Sequence, residues 1–266
     1  MFKWTQSINY HRLQGCGASP REVIDKMKFT VVIPVYNEEG NLSGVLSELE
    51  GALDSGGCEY DIIIVDDGSS DGTAKTARES SKERTNVSLI RLDRHYGKGV
   101  ALTAGIKNAK TDVVVSMDGD GQDDPADIPR LVGALNGGCD IVTGNRTKRA
   151  DGACKRMLSK AYNLLLMSLF RVKTHDNNCP LKAFRKSSID WICLDFGLYR
   201  YMNPMAHIRG LRLHEVDVVN RPRRWGKSKY GLGRIISGVL ALPASFIIAH
   251  SRIRLACRPY GLMRGL

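Results

Sequence analysis

Disulfide chemistry is the first thing this chain lacks. Its seven cysteines (Cys16, Cys58, Cys139, Cys154, Cys179, Cys193 and Cys257) are odd in number, scattered, and nowhere spaced C-x-x-C. Neither a disulfide framework nor a zinc ribbon follows, and a reduced, cytosolic-side protein is expected. No secretory signal opens it, because the first 27 residues are polar and hold no apolar segment. They read as a loose extension. Internal repeats and low-complexity linkers are missing too, so both halves are expected to share one core. At 266 residues, with 42% hydrophobic, 7% aromatic and 25% charged residues, the chain is neither disordered, collagen-like nor a polytopic membrane protein.

Acidic residues are missing from one end. Beyond residue 217 there are ten Lys or Arg and no Asp or Glu, which leaves 29 basic against 28 acidic residues before it. The net charge of +11 therefore sits almost wholly in the last fifth of the chain. Such a tail suits nucleic acid, anionic lipid or phosphate-bearing substrates, and composition does not separate them.

Hydrophobic periodicity alternates regularly over the first half. Phe29 to Val35 is a β-branched run, and Leu42, Val45, Leu46, Leu49 and Leu53 after Asn41 form one helical stripe. Ile62 to Val65 reads as a strand buried on both faces, and Asp71 can cap a helix over 72–82. Strand signals recur at 87–92, 113–117 and 140–143, with helices at 100–109 and 128–135 between them. This order predicts an α/β fold with a doubly wound, mostly parallel sheet flanked by helices. The second half is expected to hold a helix at 153–170 carrying Leu158, Tyr162, Leu165, Leu166 and Leu169. Helical stretches near 187–194 and 199–209 and a strand at 211–219 follow. A basic loop over 220–233 then leads into the apolar segment 235–249.

Two nucleotide motifs fail. Gly97-Lys98-Gly99 has Leu102 where a dinucleotide fingerprint needs its third glycine, and Gly226-Lys227-Ser228 has Arg221 where a P-loop needs its first. The strongest constellation is Asp118-Gly-Asp120-Gly-Gln122-Asp123-Asp124-Pro, directly after the apolar run VVVSM. Carboxylates at i and i+2 on a glycine-broken turn can share a hard divalent cation, whose shell substrate phosphates complete. A solvated turn capping the next helix is the plainer reading of Asp124 or Asp127. Asp66-Asp67-Gly68 and Pro34-Val-Tyr36-Asn37-Glu38 are two further turns at strand ends, suited to a ribose or base. Arg221-Pro-Arg223-Arg224-Trp225-Gly226-Lys227-Ser228-Lys229-Tyr230 suits a diphosphate or lipid phosphate; a solvated basic loop and an RNA patch are the alternatives. Arg146 is another candidate cation at a strand end. Cys179, beside Asp176 in an irregular stretch, reads as a buried structural residue rather than a nucleophile.

VVIPVYNEEGNL, IIIVDDGSSDGT, YGKGVALTAGI and MDGDGQDDP, in this order and spacing, resemble a family 2 glycosyltransferase of GT-A fold. GNR at 144–146, D-x-x-C at 176–179 and RPRRWGKSKYG at 221–231 resemble the dolichol- or polyprenyl-phosphate sugar synthases, over about residues 28–235. The resemblance implies an inverting, Mg2+- or Mn2+-dependent transfer of a sugar from a GDP- or UDP-sugar to a polyprenyl phosphate. It implies Asp118, Asp120 and Gln122 as metal ligands, and Pro34, Tyr36, Glu38, Asp66 or Asp67, and Lys98 at the nucleotide sugar. Arg146 would face the acceptor phosphate, and Arg223 with Lys229 the donor diphosphate. Asn220 stands where many relatives have His, and Gly121 where Leu is common.

The expected layout is an extension over 1–27, a GT-A domain over 28–231 and a basic, apolar, membrane-associating tail over 232–266. The tail is expected to hold the protein at the cytoplasmic face of a membrane, peripherally and without nucleic acid. Segment 235–249 is too short to span and is flanked by basic residues; a core helix packed on the sheet is the alternative. Two other functions stay open. One is a soluble transferase acting on a saccharide or protein, with Asp123 or Asp124 as base. The other is a basic membrane- or RNA-binding module with a degenerate site.

Overall fold

The computed structural model describes residues 27–148, 153–192, 194–223, 225, 232–251 and 259–263. The seven strands are Phe29–Val35 (β1), Tyr60–Asp66 (β2), Val87–Arg91 (β3), Val113–Ser116 (β4), Ile141–Lys148 (β5), Lys182–Arg185 (β6) and Leu213–Val219 (β7). They form one sheet in the order β3-β2-β1-β4-β6-β5-β7. β6 runs against both its neighbours, and the other pairings are parallel. The runs VVIPV and IIIV are strands because β-branched side chains pack on both faces of a covered sheet, and Val31, Val32, Ile33, Ile62 and Ile64 are all buried.

The helices are Glu39–Ser55 (α1), Thr73–Glu83 (α2), Lys98–Asn108 (α3), Ile128–Asn136 (α4), Ala153–Phe170 (α5), Lys186–Ile189 (α6), Met202–Ile208 (α7) and Leu232–His250 (α8). The α1 stripe Leu42, Leu46, Leu49 and Leu53 packs one face of the sheet together with Leu131 and Leu135 of α4. The opposite face carries α3, Leu166 and Phe170 of α5, Met202 and Met205 of α7, and Ile248 of α8. Each fully buried aliphatic side chain contributes about 1.5–3 kcal/mol, so these layers hold the strand ends in a fixed array.

Several elements depart from the expected pattern. β6 is unforeseen, since its four residues include the buried Lys182, which breaks the apolar run. β5 extends past Thr143 to Lys148, because its polar half, Asn145 to Lys148, pairs with β7, with a shift of register between Arg146 and Lys148. Arg146 therefore lies within a strand and not at its end. The stretches at 187–194 and 199–209 shrink to α6 and to a short 3-10 turn, Leu198–Tyr201, leading into α7. α1 begins at Glu39, so Asn41 sits inside its first turn.

Along α5 the expected stripe divides. Leu166 is buried, but Leu165 and Leu169 face outward with Met157 and Leu164. The apolar segment 235–249 lies within α8, and its second half packs on the core through Ala241, Ser245, Ile248 and Ala249. Arg209 fixes that end: its Nε and Nη2 donate to the carbonyls of Ala249 and Ile248, each at 3.1 Å, which the helix terminus leaves open. Among the described residues, no helix is long and apolar enough to cross a membrane. The extension 1–26 lies outside the described residues.

Candidate active site

β1, β2 and β4 point their carboxyl ends the same way, and the strand order reverses between β1 and β4. A crevice opens there, as open α/β sheets provide. It encloses about 570 Å³ including its mouth, and its walls hold Pro34, Tyr36, Glu38, Asp67, Lys98, Asp118, Asp120 and Arg223. Eight residues singled out in the sequence thus meet in one cleft.

The acidic turn forms the floor. Gly119 allows it to lie on β1, since a Cβ there would fall 2.5 Å from Val35 Cγ1. Lys98, at the start of α3, pairs with Asp118. Asp120 Oδ2 accepts from Arg223 Nη2 at 2.6 Å, and its Oδ1 accepts from the Gln122 backbone N–H at 3.1 Å. Asp123 is buried behind them and accepts from the Asp118 N–H at 3.2 Å. Burial, with the charges of Asp118 and Asp120, pushes the Asp123 carboxyl up to about 7. Burial and Asp118 raise Asp120 as well, against the pull of Arg223. The Gln122 side chain turns away from the cleft and donates to the Arg221 carbonyl at 3.3 Å.

The second wall carries the rings. Tyr36 stacks on His95, with centroids 3.9 Å apart and planes 24° from parallel. His95 Nδ1 lies 2.9 Å from Asp67 Oδ2, and Asp67 also accepts from the N–H groups of Tyr96 and Gly97, both at 2.8 Å. Burial raises the Asp67 carboxyl while those donors oppose it. Asp67 therefore organises the 95–97 loop from beneath. The two neighbouring aspartates divide their roles: Asp66 is wholly buried, accepts from the Ser69 N–H and pairs with Arg91 at 3.2 Å, away from the cleft. Gly68, at φ +68°, makes the turn possible, because a Cβ would meet the Arg94 backbone at 2.4 Å. His95 escaped the sequence reading; a single histidine in a loop carries no spacing signal.

A strap from the end of β7 crosses the acidic side. Arg221 pairs with Glu48 at 2.9 Å and Asp124 at 2.6 Å. Arg223 reaches Glu38 at 3.5 Å and Asp120 at 2.6 Å. Asn41 Nδ2 donates to the Trp225 carbonyl, so α1 anchors the strap's far side. Lys229 lies outside the described residues.

Arg146 stands apart from the cleft wall. Burial disfavours its charge, but Asp176 grips it with two bonds, at 2.6 and 3.0 Å, and holds it firmly cationic. Asp176 is in turn set by Glu215, which accepts from its backbone N–H at 3.0 Å. Cys179 is buried, and burial pushes its thiol up to about 12, which leaves it inert.

Among the described residues, no group of three or more His, Cys, Asp or Glu side chains is arranged to hold a metal ion. The donor chemistry nevertheless fits a hard divalent cation. Asp118, Asp120 and Asp123 crowd one turn, and burial first, then the charge of their carboxylate neighbours, raises Asp120 and Asp123. Few protein oxygens suffice when diphosphate oxygens complete the shell.

Solved structures share this architecture. Glucosyl-3-phosphoglycerate synthase from Mycobacterium tuberculosis, in complex with Mn2+ and UDP-glucose, superposes with a TM-score of 0.68 at 20% identity, over 88% of this chain and 84% of that one. The same enzyme with Mn2+, UDP and glucosyl-3-phosphoglycerate gives 0.68 at 19% identity, over 93% and 86%. The undecaprenyl-phosphate 4-deoxy-4-formamido-L-arabinose transferase of Edwardsiella ictaluri is 37% identical over 209 residues, 78% of this chain, and that of Aeromonas hydrophila 35% over the same span. The chain spans 64% of the length of these two relatives. The family model described as Glycosyl transferase family 2 matches residues 30–192, from β1 through the acidic turn to the segment beyond α6. The cleft, the sheet order and this match agree, and the chain belongs to glycosyl transferase family 2.

Proposed function

We propose that the cleft binds a nucleoside diphosphate sugar, GDP- or UDP-linked, with Mg2+ or Mn2+, and that the chain moves the sugar, with inversion, to a polyprenyl phosphate. The observation that carries this reading is the convergence of Tyr36, Asp67, Lys98, Asp118, Asp120 and Arg223 on one cleft at the strand-order reversal. The identity to the undecaprenyl-phosphate transferases supports the lipid acceptor.

The chain's own groups account for the chemistry. Tyr36, backed by His95, offers a ring face to a base, and Glu38 and Asp67 stand beside it. Asp118 and Asp120 would hold the cation, which when bound offsets the charge of the departing diphosphate. Lys98 and Arg223, now paired with those carboxylates, supply further positive charge where negative charge develops. An acceptor phosphate is already ionised at neutral pH and needs no base. A saccharide hydroxyl would need one, yet Asp123 is buried under the turn, and Asp124 is tied to Arg221 and the Ala126 N–H. Neither lines the cleft, which favours the phosphate acceptor.

The membrane surface enters through α5. Met157, Leu164, Leu165 and Leu169 expose one apolar face, with Lys160, Arg171 and Lys173 exposed around it. No acidic residue occurs between Asp151 and Asp176. Such a helix suits anionic headgroups, and the described half of α8, with one face on the core, adds less. The test is transfer from UDP- and GDP-sugars to undecaprenyl phosphate or to a saccharide, with and without Mn2+. Metal-dependent transfer to the lipid alone is expected, and transfer to saccharide alone overturns the reading.

A further inference from the structure

The β3 edge of the sheet is covered by a segment distant in sequence. Where β3 ends, the Leu92 N–H turns inward and donates to the Asp66 carbonyl at 2.9 Å, while the Arg91 carbonyl and the Asp93 N–H turn outward. Residues 259–263 take up both. The Met263 N–H donates to the Arg91 carbonyl at 3.0 Å, and the Asp93 N–H donates to the Gly261 carbonyl at 3.2 Å. Leu262 lies antiparallel to Leu92 between these bonds. Pairing of this kind blunts an edge that would otherwise stay open.

The contact continues into the loop that forms the ring wall of the cleft. The Gly261 N–H donates to the Tyr96 hydroxyl at 3.2 Å, so both backbone groups of Gly261 are engaged by the loop. A Cβ on Gly261 would fall 2.5 Å from Asp93 Oδ2 and 2.7 Å from its Cγ, so a side chain there forces the two segments apart. Tyr260 and Tyr96, both partly buried, pack on the core beneath α3. Residues 93–97 are thereby held from two sides. Asp67 binds His95, Tyr96 and Gly97 from within, and 259–263 bind Asp93 and Tyr96 from outside. Between these ties stands His95, which backs Tyr36, and Gly97 leads directly into Lys98.

We propose that residues 259–263 are a positioning element of the nucleotide wall, with Gly261 and Tyr260 acting through Tyr96 to fix His95 behind Tyr36. The inference rests on the donor reading above. Neither Tyr96 nor any residue of 259–263 lines the cleft, so the effect on a nucleotide is indirect. Asp93, Arg94 and His95 are exposed, so burial of the loop's own side chains does little to order it, and its backbone ties decide how often the wall is formed. A wall formed about a tenth of the time binds its ligand about tenfold more weakly. The base lies away from the bond that breaks, so the loss belongs to donor binding and leaves the chemical step alone.

UDP and GDP titrated into the full-length protein test this, together with amide exchange and steady-state kinetics. The double variant Tyr260→Ala/Gly261→Val should release the segment, and the amides of Asp93, Gly261 and Met263 should then exchange at least about tenfold faster. Nucleotide Kd and donor KM should rise together by about tenfold, while kcat at saturating donor and the KM for the lipid acceptor stay within about twofold. Tyr96→Phe removes only the hydroxyl that accepts from Gly261 and should raise Kd and donor KM by about threefold, again at constant kcat. Released amides with unchanged nucleotide affinity overturn the assignment, as does exchange that stays slow in the double variant or a loss confined to kcat. Unchanged affinity in Tyr96→Phe overturns it even where the double variant does not fold. If the wild-type protein binds neither nucleotide, the donor reading fails and this inference with it.

Discussion

Asp120 is the residue on which most of the cleft converges. It receives Arg223 and the Gln122 N–H while standing next to Asp118 in charge. Asp120→Asn keeps the shape but removes the charge that would hold a cation, so transfer should fall by about 100-fold or more. Added Mn2+ should not restore it, and an unchanged circular dichroism spectrum should show that the fold survives. Wild-type turnover would remove Asp120 from the site. Lys182 offers a separate test in stability. Burial lowers it to about 8, against ~10.4 in an unfolded chain. Between those values the unfolded chain binds the extra proton, so this group makes stability rise with pH from about 8 to about 10, by on the order of 3 kcal/mol. Lys182→Met removes that slope. Variant minus wild-type unfolding free energy should therefore fall across this window, and a pH-independent difference refutes the buried charge. The sequence made Asp118, Asp120, Tyr36 and Glu38 legible because each follows an apolar run at a turn. It left Asp66 and Asp67 undivided, because adjacent carboxylates differ only in which way the strand's last residue points. Lys182 and His95 were illegible, for their roles come from neighbours 39 and 28 residues away in the chain.

Elements rich in β-branched residues were legible nearly to the residue, whereas those held by pairing were not. β1 matches the run Phe29 to Val35 because burial on both faces demands continuous apolar side chains. The outer half of β5 is polar and exists through its ladder with β7, which no local pattern announces. The strap after β7 belongs to the same class, being held by ion pairs to α1 and the acidic turn. Its two arginines should therefore behave differently. Arg223, mostly buried and in the cleft wall, should on truncation to Ala reduce kcat by about 100-fold. Arg221→Ala removes partly exposed pairs and should cost about 1 kcal/mol of stability or less, with small kinetic effect. Steady-state kinetics and urea unfolding of both variants check this. Equal kinetic losses would mean that the strap acts only as diffuse positive charge.

For the whole molecule, the proposed lipid acceptor raises the question of which surface would meet a membrane. The sequence pointed to the basic tail, because composition ranks segments by apolar content and flanking charge but cannot say which face packing has already used. α8 commits Ala241, Ser245, Ile248 and Ala249 to the core, whereas α5 leaves Met157, Leu164, Leu165 and Leu169 in solvent. An exposed face of this kind is rare on a soluble monomer and marks an interaction surface. β5, which carries Arg146, leads into α5, and the chain returns to β6 through Asp176, which grips Arg146. The double variant Leu164→Glu/Leu165→Glu should leave the thermal midpoint within a few degrees, since both side chains are at least half exposed. It should weaken co-sedimentation with anionic vesicles by about tenfold, as two apolar contacts become like-charge repulsions. Transfer to a long-chain polyprenyl phosphate in vesicles should fall in parallel, while transfer to a short, water-soluble analogue should be retained. Equal losses on both acceptors would place the effect in the catalytic machinery, and unchanged vesicle binding would return the contact to the tail.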